Sequence, residues 1–129
     1  MPIELKMLAW SIALGLLHVL VGAALATRQR GLKWNVGARD AVLPPLQGVA
    51  ARVDRALRNF LETFPFFVAA ALAVALLERG DAATALAAQA YFWARLVYVP
   101  LYAAGIPYLR TLAWAVSLWG ILQLLWALL

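Results

Sequence analysis

Arg52–Phe67 has the sequence RVDRALRNFLETFPFF and passes without a break from charged residues to strongly apolar ones. Asn59 and Glu62 lie beyond the last arginine of this segment, and 15 uncharged residues, Thr63–Leu77, follow them. A carboxylate in this position lies either at a lipid interface or inside a bundle of helices. Because an ionisable group at such a depth is costly, its presence indicates a functional site.

Helical periodicity places the polar side chains of this segment on one face. At about 100° per residue, Arg55, Asn59 and Glu62 form a single stripe, with Arg52 and Arg58 on either side of it. One interpretation is a solvated helix start stabilised by i,i+4 pairs. The other is a polar face inside a bundle, which we favour because Glu62 extends the stripe into the apolar segment.

The composition indicates an integral membrane protein. Hydrophobic residues make up 66% of the 129 residues and charged residues 13%, whereas soluble domains are about half apolar and a quarter charged. We therefore predict a single all-α domain, residues 1–129, that forms a membrane bundle. There is no cysteine, which excludes a disulfide framework, a thiolate metal site and a cysteine nucleophile.

Four apolar segments predict four transmembrane helices. The first has 21 uncharged residues between Lys6 and Arg28, enough to cross a hydrocarbon core of about 30 Å, and is too long for the h-region of a signal peptide. Pro65 is predicted to bend the second helix. The predicted helices cover residues 7–26, 49–77, 82–103 and 108–129.

The connection between the first two helices, residues 27–51, carries most of the net charge of +5. By the positive-inside rule we expect the loop 28–50 to be cytoplasmic and both termini to lie on the opposite side. Nucleic acid is not an expected partner, because the arginines are not interleaved with exposed aromatic residues. The residues expected to prevent helix formation in this loop are Gly31, Gly37, Pro44, Pro45 and Gly48.

The first helix carries the only histidine, His18, on one face with Ser11, Gly15 and Gly22. Small residues at this spacing allow helices to approach closely in lipid. We interpret His18 as a hydrogen-bonded residue in a helix contact. We predict no metal site, since no second histidine or cysteine is available to share the ion.

The third helix places Tyr91, Arg95, Tyr98 and Tyr102 on one face. An aromatic belt at the membrane interface explains Tyr102 but not Arg95. If the helices run in alternating directions, Glu62 and Arg95 lie roughly 22 Å and 20 Å below the same membrane surface. Glu62 then has Arg95, an arginine of its own helix, or a ligand amine as possible partners. The excess of arginine in this layer predicts an anionic ligand, because guanidinium groups bind carboxylates and phosphates bidentately.

Three segments together resemble the MAPEG superfamily, the membrane-associated proteins in eicosanoid and glutathione metabolism. They are RALRNFLETFP (Arg55–Pro65), RLVYVPLYAAGIP (Arg95–Pro107) and Arg110-Thr111. The resemblance covers essentially the whole chain. It implies a homotrimer with active sites at subunit interfaces and glutathione as the cofactor. The resemblance to bacterial members also implies a bacterial inner membrane as its location.

The resemblance also implies roles for individual residues. Arg110 resembles the arginine that stabilises the glutathione thiolate, and Thr111 is placed to donate a hydroxyl to the same sulfur. The chain departs from the family pattern at Leu57, where histidine is common, and at Trp114, where an aromatic hydroxyl is common. The residues implied to contact glutathione are Arg55, Arg58, Asn59, Glu62, Arg95, Tyr98 and Tyr102.

Two functions follow as expectations. The first is a glutathione-dependent enzyme of the transferase or peroxidase type, which adds the thiol to a lipophilic small-molecule electrophile or reduces a lipid hydroperoxide, with membrane lipids as surroundings. The alternative is a non-catalytic membrane protein that binds an anionic lipid headgroup or metabolite. A transporter is disfavoured because there is no inverted repeat and no broken helix.

Overall fold

The computed structural model describes residues 1–129 and contains five helices and no strand. Helix α2 is a single short turn within the long connection, and the other four helices form the bundle. The helices are α1 (Ile3–Arg30), α2 (Leu32–Val36), α3 (Gly48–Leu76), α4 (Ala82–Ala103) and α5 (Pro107–Leu128).

Helices α1, α3 and α5 are each long and apolar enough to cross a membrane. The chain is therefore an integral membrane protein. Helix α4 was predicted as a further span but is not among these three, because Gln89, Arg95 and its tyrosines lower its hydropathy. It packs mainly against α5 and also against α1 and α3.

The helix ends differ from the predicted ones mainly around α1. Helices α3, α4 and α5 begin and end within one residue of the predicted ranges. Helix α1 extends beyond the predicted 7–26 at both ends, because hydropathy marks only the apolar part of a helix. Arg28 and Arg30 lie in its last turn, where cations interact favourably with the helix dipole.

The expectation of a helix-free connection between α1 and α3 is wrong, since α2 forms there. The predicted glycines still act as helix ends. Gly31 follows α1 with a φ of 94°, and Gly37 follows α2. A left-handed φ suits glycine, which has no Cβ to clash with the following carbonyl. The five residues between Gly31 and Gly37 are enough for one hydrogen-bonded turn.

The core of the bundle lies in the half remote from the long connection. The aromatic rings of Phe67 on α3 and Tyr91 on α4 stack with centroids 3.9 Å apart. Small residues of α3 and α4 surround this stack. The buried residues of this core are Leu8, Phe67, Ala70, Ala71, Val74, Ala87, Ala88, Tyr91, Ile121 and Leu124.

Polar contacts tie the helix ends together at the same end of the bundle. Asp81 caps α4 by accepting a 2.9 Å hydrogen bond from the Thr84 amide. The Thr84 hydroxyl donates to the buried Glu4 carboxylate at 2.6 Å, which joins α4 to α1. Arg79 donates to the Ala127 carbonyl near the end of α5 at 3.3 Å. These contacts satisfy polar groups that helix termini leave unpaired.

Candidate functional site

A polar cleft opens between α3, α4 and α5 in the half of the bundle that carries the long connection. Its volume is about 270 Å³. One lining residue comes from α3, two from α4 and three from the first two turns of α5. The lining residues are Asn59, Tyr98, Tyr102, Arg110, Thr111 and Trp114.

Arg95 lies behind the cleft wall. Its side chain is fully buried, and Nη1 donates a 2.9 Å hydrogen bond to Oδ1 of Asn59. The centre of the guanidinium lies 4.3 Å from the Tyr98 ring and 5.5 Å from the Phe60 ring. Its Nε and Nη2 atoms are buried without a hydrogen-bond partner. Arg95 was predicted to lie at the same depth as the polar face of α3, and it contacts that face through Asn59.

Tyr102 contacts two further arginines, Arg110, which lines the cleft, and Arg55, which does not. Arg55 Nε donates to the Tyr102 hydroxyl at 3.2 Å. The guanidinium of Arg110 lies 4.5 Å from the centre of the same ring. A guanidinium against an aromatic face is attracted by the ring quadrupole. No carboxylate lies within ion-pair distance of either arginine, so the cleft is electropositive.

Glu62 does not pair with Arg95 or with an arginine of its own helix. Its side chain is exposed and makes no ion pair. The physical reason is angular, because Glu62 lies about 60° around the helix from Asn59, and Asn59 is the residue that reaches Arg95. Its predicted contact with a ligand stays a prediction.

Arg58 is also outside the cleft. It forms the one ion pair of the structure, with Asp54 at 3.2 Å, and its side chain is largely exposed. Together with Arg30 and Arg55 it lines a separate groove of about 350 Å³ between α3 and the long connection. Its predicted contact with glutathione stays a prediction.

Thr111 and Trp114 lie along the cleft on α5. The Thr111 hydroxyl donates to the Pro107 carbonyl of its own helix at 3.1 Å, so it must rotate before it can donate to a ligand. Trp114 offers only an indole N–H donor. At Trp114 the cleft therefore has a donor but no hydrogen-bond acceptor.

His18 is a structural residue, as predicted. It is buried, and its Nε2 donates to the Val53 carbonyl of α3 at 3.1 Å. A carbonyl oxygen only accepts, so Nε2 carries the hydrogen. His18 contributes nothing to the cleft and joins α1 to α3.

Sequence reasoning missed two residues that support the site. Phe60 is an apolar neighbour of Asn59 with no signal of its own, yet its ring contacts the Arg95 guanidinium. Arg52 Nε donates at 2.8 Å to the Ala103 carbonyl, the last residue of α4. A cation at a helix C-terminus is a familiar stabilising contact, but finding it requires knowledge of which helices are adjacent.

Comparison with known proteins yields one match. A profile of the MAPEG family matches residues 7–129. Comparison with curated proteins and with solved structures finds no match. The MAPEG family includes glutathione transferases and peroxidases as well as members that are not enzymes. Since the match covers nearly the whole chain, this chain belongs to the MAPEG family.

Proposed function

We propose that the chain is a glutathione-dependent membrane enzyme of the transferase or peroxidase type, acting on lipophilic electrophiles or lipid hydroperoxides. The observation that supports this most directly is the Arg110 guanidinium, which lies in the cleft against the Tyr102 ring with no carboxylate paired to it. An unpaired cation at a cleft attracts an anion, and a thiolate is one.

The donor set of the cleft fits glutathione. Within the cleft, Arg110 and Asn59 supply N–H donors, the tyrosine and threonine hydroxyls supply O–H donors, and no carboxylate is present. Arg55 does not line the cleft but contacts Tyr102, which does. Glutathione carries two carboxylates, which guanidinium groups bind bidentately. Its single amine needs an acceptor, and Glu62, one turn beyond Asn59 on α3, is our candidate.

The chemistry that glutathione supplies is a nucleophilic thiol. A guanidinium beside the thiol favours the charged form and lowers the thiol pKa, and we assign this role to Arg110. The Thr111 hydroxyl, released from the Pro107 carbonyl by rotation about χ1, donates a second hydrogen bond at the same place. The rings of Tyr98, Tyr102 and Trp114 add apolar surface to the lining of the cleft.

An apolar groove supports a lipophilic second substrate. It lies between α4 and α5, the helices that carry Tyr98 and Arg110, and has a volume of about 470 Å³. Leu109 and Leu112, on either side of Arg110 in the sequence, belong to it. The groove gives a molecule dissolved in the bilayer an apolar place to bind on this pair of helices, on a face of α5 centred about 100° around the helix from Arg110. Most of the groove is lined by Trp93, Val97, Leu101, Leu109, Leu112 and Val116.

We further propose that the active protein is a homotrimer in which α4 is the fourth membrane span and the long connection is cytoplasmic. The support is the family membership together with the exposed position of Glu62 and Arg58. A neighbouring subunit against α3 would bring these two residues to the same ligand as the cleft.

The test is a titration of the detergent-purified protein with glutathione. We expect thiolate absorbance to appear on binding and a generic electrophile to be conjugated. Arg110→Ala should abolish the thiolate signal and leave trimer assembly intact. Thiolate absorbance that is unchanged in Arg110→Ala would remove the catalytic role of this residue.

A second candidate function is binding of an anionic lipid headgroup without catalysis. The observation that favours it is the groove lined by Arg30, Arg55 and Arg58, which lies outside the cleft. Glutathione binding without thiolate formation or conjugation, together with tight retention of anionic phospholipid during purification, would favour this function over the enzyme.

A further inference from the structure

We propose that Arg95 is a positioning residue that acts on the ligand through Asn59, and that Gly15 of α1 and Phe60 of α3 hold it in place. The identity of the ligand rests on the proposed function. The arrangement of Arg95, Asn59, Gly15 and Phe60 does not rest on the proposed function, because contacts within the protein show it.

Arg95 determines which side of the Asn59 amide faces the cleft. A guanidinium carries only donors, so the atom of Asn59 that meets Arg95 Nη1 at 2.9 Å must be the oxygen. The amide nitrogen, with its two hydrogens, is then free to donate. Since Asn59 lines the cleft and Arg95 does not, Asn59 presents donors to the ligand. The ligand group at this point is therefore an acceptor, such as a carboxylate or a carbonyl oxygen.

Few polar contacts hold the Arg95 guanidinium in this position. Its one side-chain hydrogen bond goes to Asn59, and Nε and Nη2 have no partner. The rings of Tyr98 and Phe60 lie against the guanidinium. Because the Phe60 ring is one of the two rings against the guanidinium, its displacement should displace Arg95 as well.

The Phe60 ring occupies space that is free because Gly15 of α1 has no side chain. A Cβ at Gly15 would lie 2.9 Å from Cε1 of Phe60, too close for two carbon atoms. The ring is fully buried and stacks on Phe64 with centroids 4.7 Å apart, so it has little room to retreat. Helix α1 contributes no residue to the cleft, yet its contact with α3 at Gly15 determines where Arg95 lies.

Gly22 supplies a matched control on the same face of α1, seven residues further along. A Cβ there would meet its nearest atom, Cδ2 of Leu57, at 3.9 Å, an ordinary van der Waals distance. Gly15→Ala and Gly22→Ala are therefore the same substitution in the same helix. Only the first displaces Phe60.

The chain contains two asparagines, Asn35 and Asn59. Selective ¹⁵N-asparagine labelling therefore yields two pairs of side-chain NH2 signals in an NMR spectrum of the detergent-solubilised protein. Asn35 lies in α2 and serves as the internal reference. We expect Gly15→Ala, Phe60→Leu and Arg95→Gln to shift the Asn59 amide signals, and Gly22→Ala to leave them unchanged. The Asn35 signals should stay in place in all four variants.

Glutathione affinity provides the second measurement. We expect Gly15→Ala to weaken binding by about 5- to 10-fold and Gly22→Ala to leave it unchanged. Because Arg95 acts through Asn59, Arg95→Gln should add no further loss in an Asn59→Ala background, whereas independent contacts would add.

The outcomes separate the two proposals. A wild-type protein that does not bind glutathione removes the proposed function, while the amide signals still test the positioning role. Unchanged Asn59 signals in both Gly15→Ala and Phe60→Leu overturn the positioning role, as does an additive loss from Arg95→Gln in the Asn59→Ala background. If Gly15→Ala does not fold, Phe60→Leu alone decides, since it removes the ring without creating a clash.

Discussion

Gly120 of α5 packs directly against the main chain of α4 at Ala87. A Cβ at Gly120 would lie 2.6 Å from the Ala87 carbonyl oxygen and 3.3 Å from the Tyr91 amide nitrogen. Close approach of this kind, through small residues, is how helices associate in lipid. The α4 and α5 pair is thereby held as one hairpin, and the cleft residues of both helices lie at its other end.

Gly120→Ala should separate α4 from α5, because the atom in the way is main chain and has no rotamer to change. We expect a loss of about 1–3 kcal/mol in the free energy of unfolding, measured as a lower midpoint of thermal unfolding in detergent. Gly22→Ala is the control and should keep the wild-type midpoint or raise it slightly, since alanine favours a helix over glycine. A Gly120→Ala protein as stable as wild type would contradict the contact.

Thr84→Val should destabilise the end of the bundle opposite to the cleft. The hydroxyl of Thr84 accepts from the Asp81 amide and donates to the buried Glu4 carboxylate. Valine keeps the shape and leaves the carboxylate without its donor, which costs about 1–3 kcal/mol or more for a charged group. The measurement is again the unfolding midpoint. Thr111→Val, at an exposed position, should leave the midpoint unchanged.

Tyr102→Phe should separate the two arginine contacts of Tyr102. The ring that faces Arg110 is kept, and the hydroxyl that accepts from Arg55 is lost. We expect thiolate formation to persist and glutathione affinity to fall about 5-fold. Tyr102→Leu should reduce both, since it also removes the ring. Equal loss of thiolate absorbance in the two variants would show that the ring does not position Arg110.

Glu62→Gln should change binding without changing stability. The side chain is exposed and makes no ion pair, so the free energy of unfolding should stay within about 0.5 kcal/mol of wild type. If Glu62 accepts from the ligand amine, glutathione affinity falls by about 5- to 10-fold. A glutathione analogue without the amino group should then bind wild type and Glu62→Gln equally.

Asp54→Asn is the matched control for Glu62→Gln. Asp54 lies two turns earlier on α3 and pairs with Arg58 at the surface, a contact of small energetic value. Its loss frees Arg58, a proposed ligand contact, so glutathione affinity should not fall below the wild-type level. If the Glu62→Gln variant still binds glutathione more tightly than the deaminated analogue, by the same factor as wild type, Glu62 is not the acceptor for the amine.

Much of the fold was predictable because its signals are local. Hydropathy located α3, α4 and α5 to within one residue, and periodicity placed Asn59 and Arg55 on the face of α3 that meets α4. The ends of α1 and the existence of α2 were missed. Helix propensity extends past the apolar residues, and glycine ends a helix without preventing a short one from forming beside it.

The amino-acid sequence was sufficient to establish a membrane bundle, the polar face of each helix and the excess of arginine in one layer, because these depend on residue type and spacing alone. The partner of each polar group depended on how the helices pack. Arg95 meets Asn59 rather than Glu62, and Gly15 makes room for Phe60. A rotation of about 60° around a helix decides between such partners, and only the contacts between helices determine that rotation.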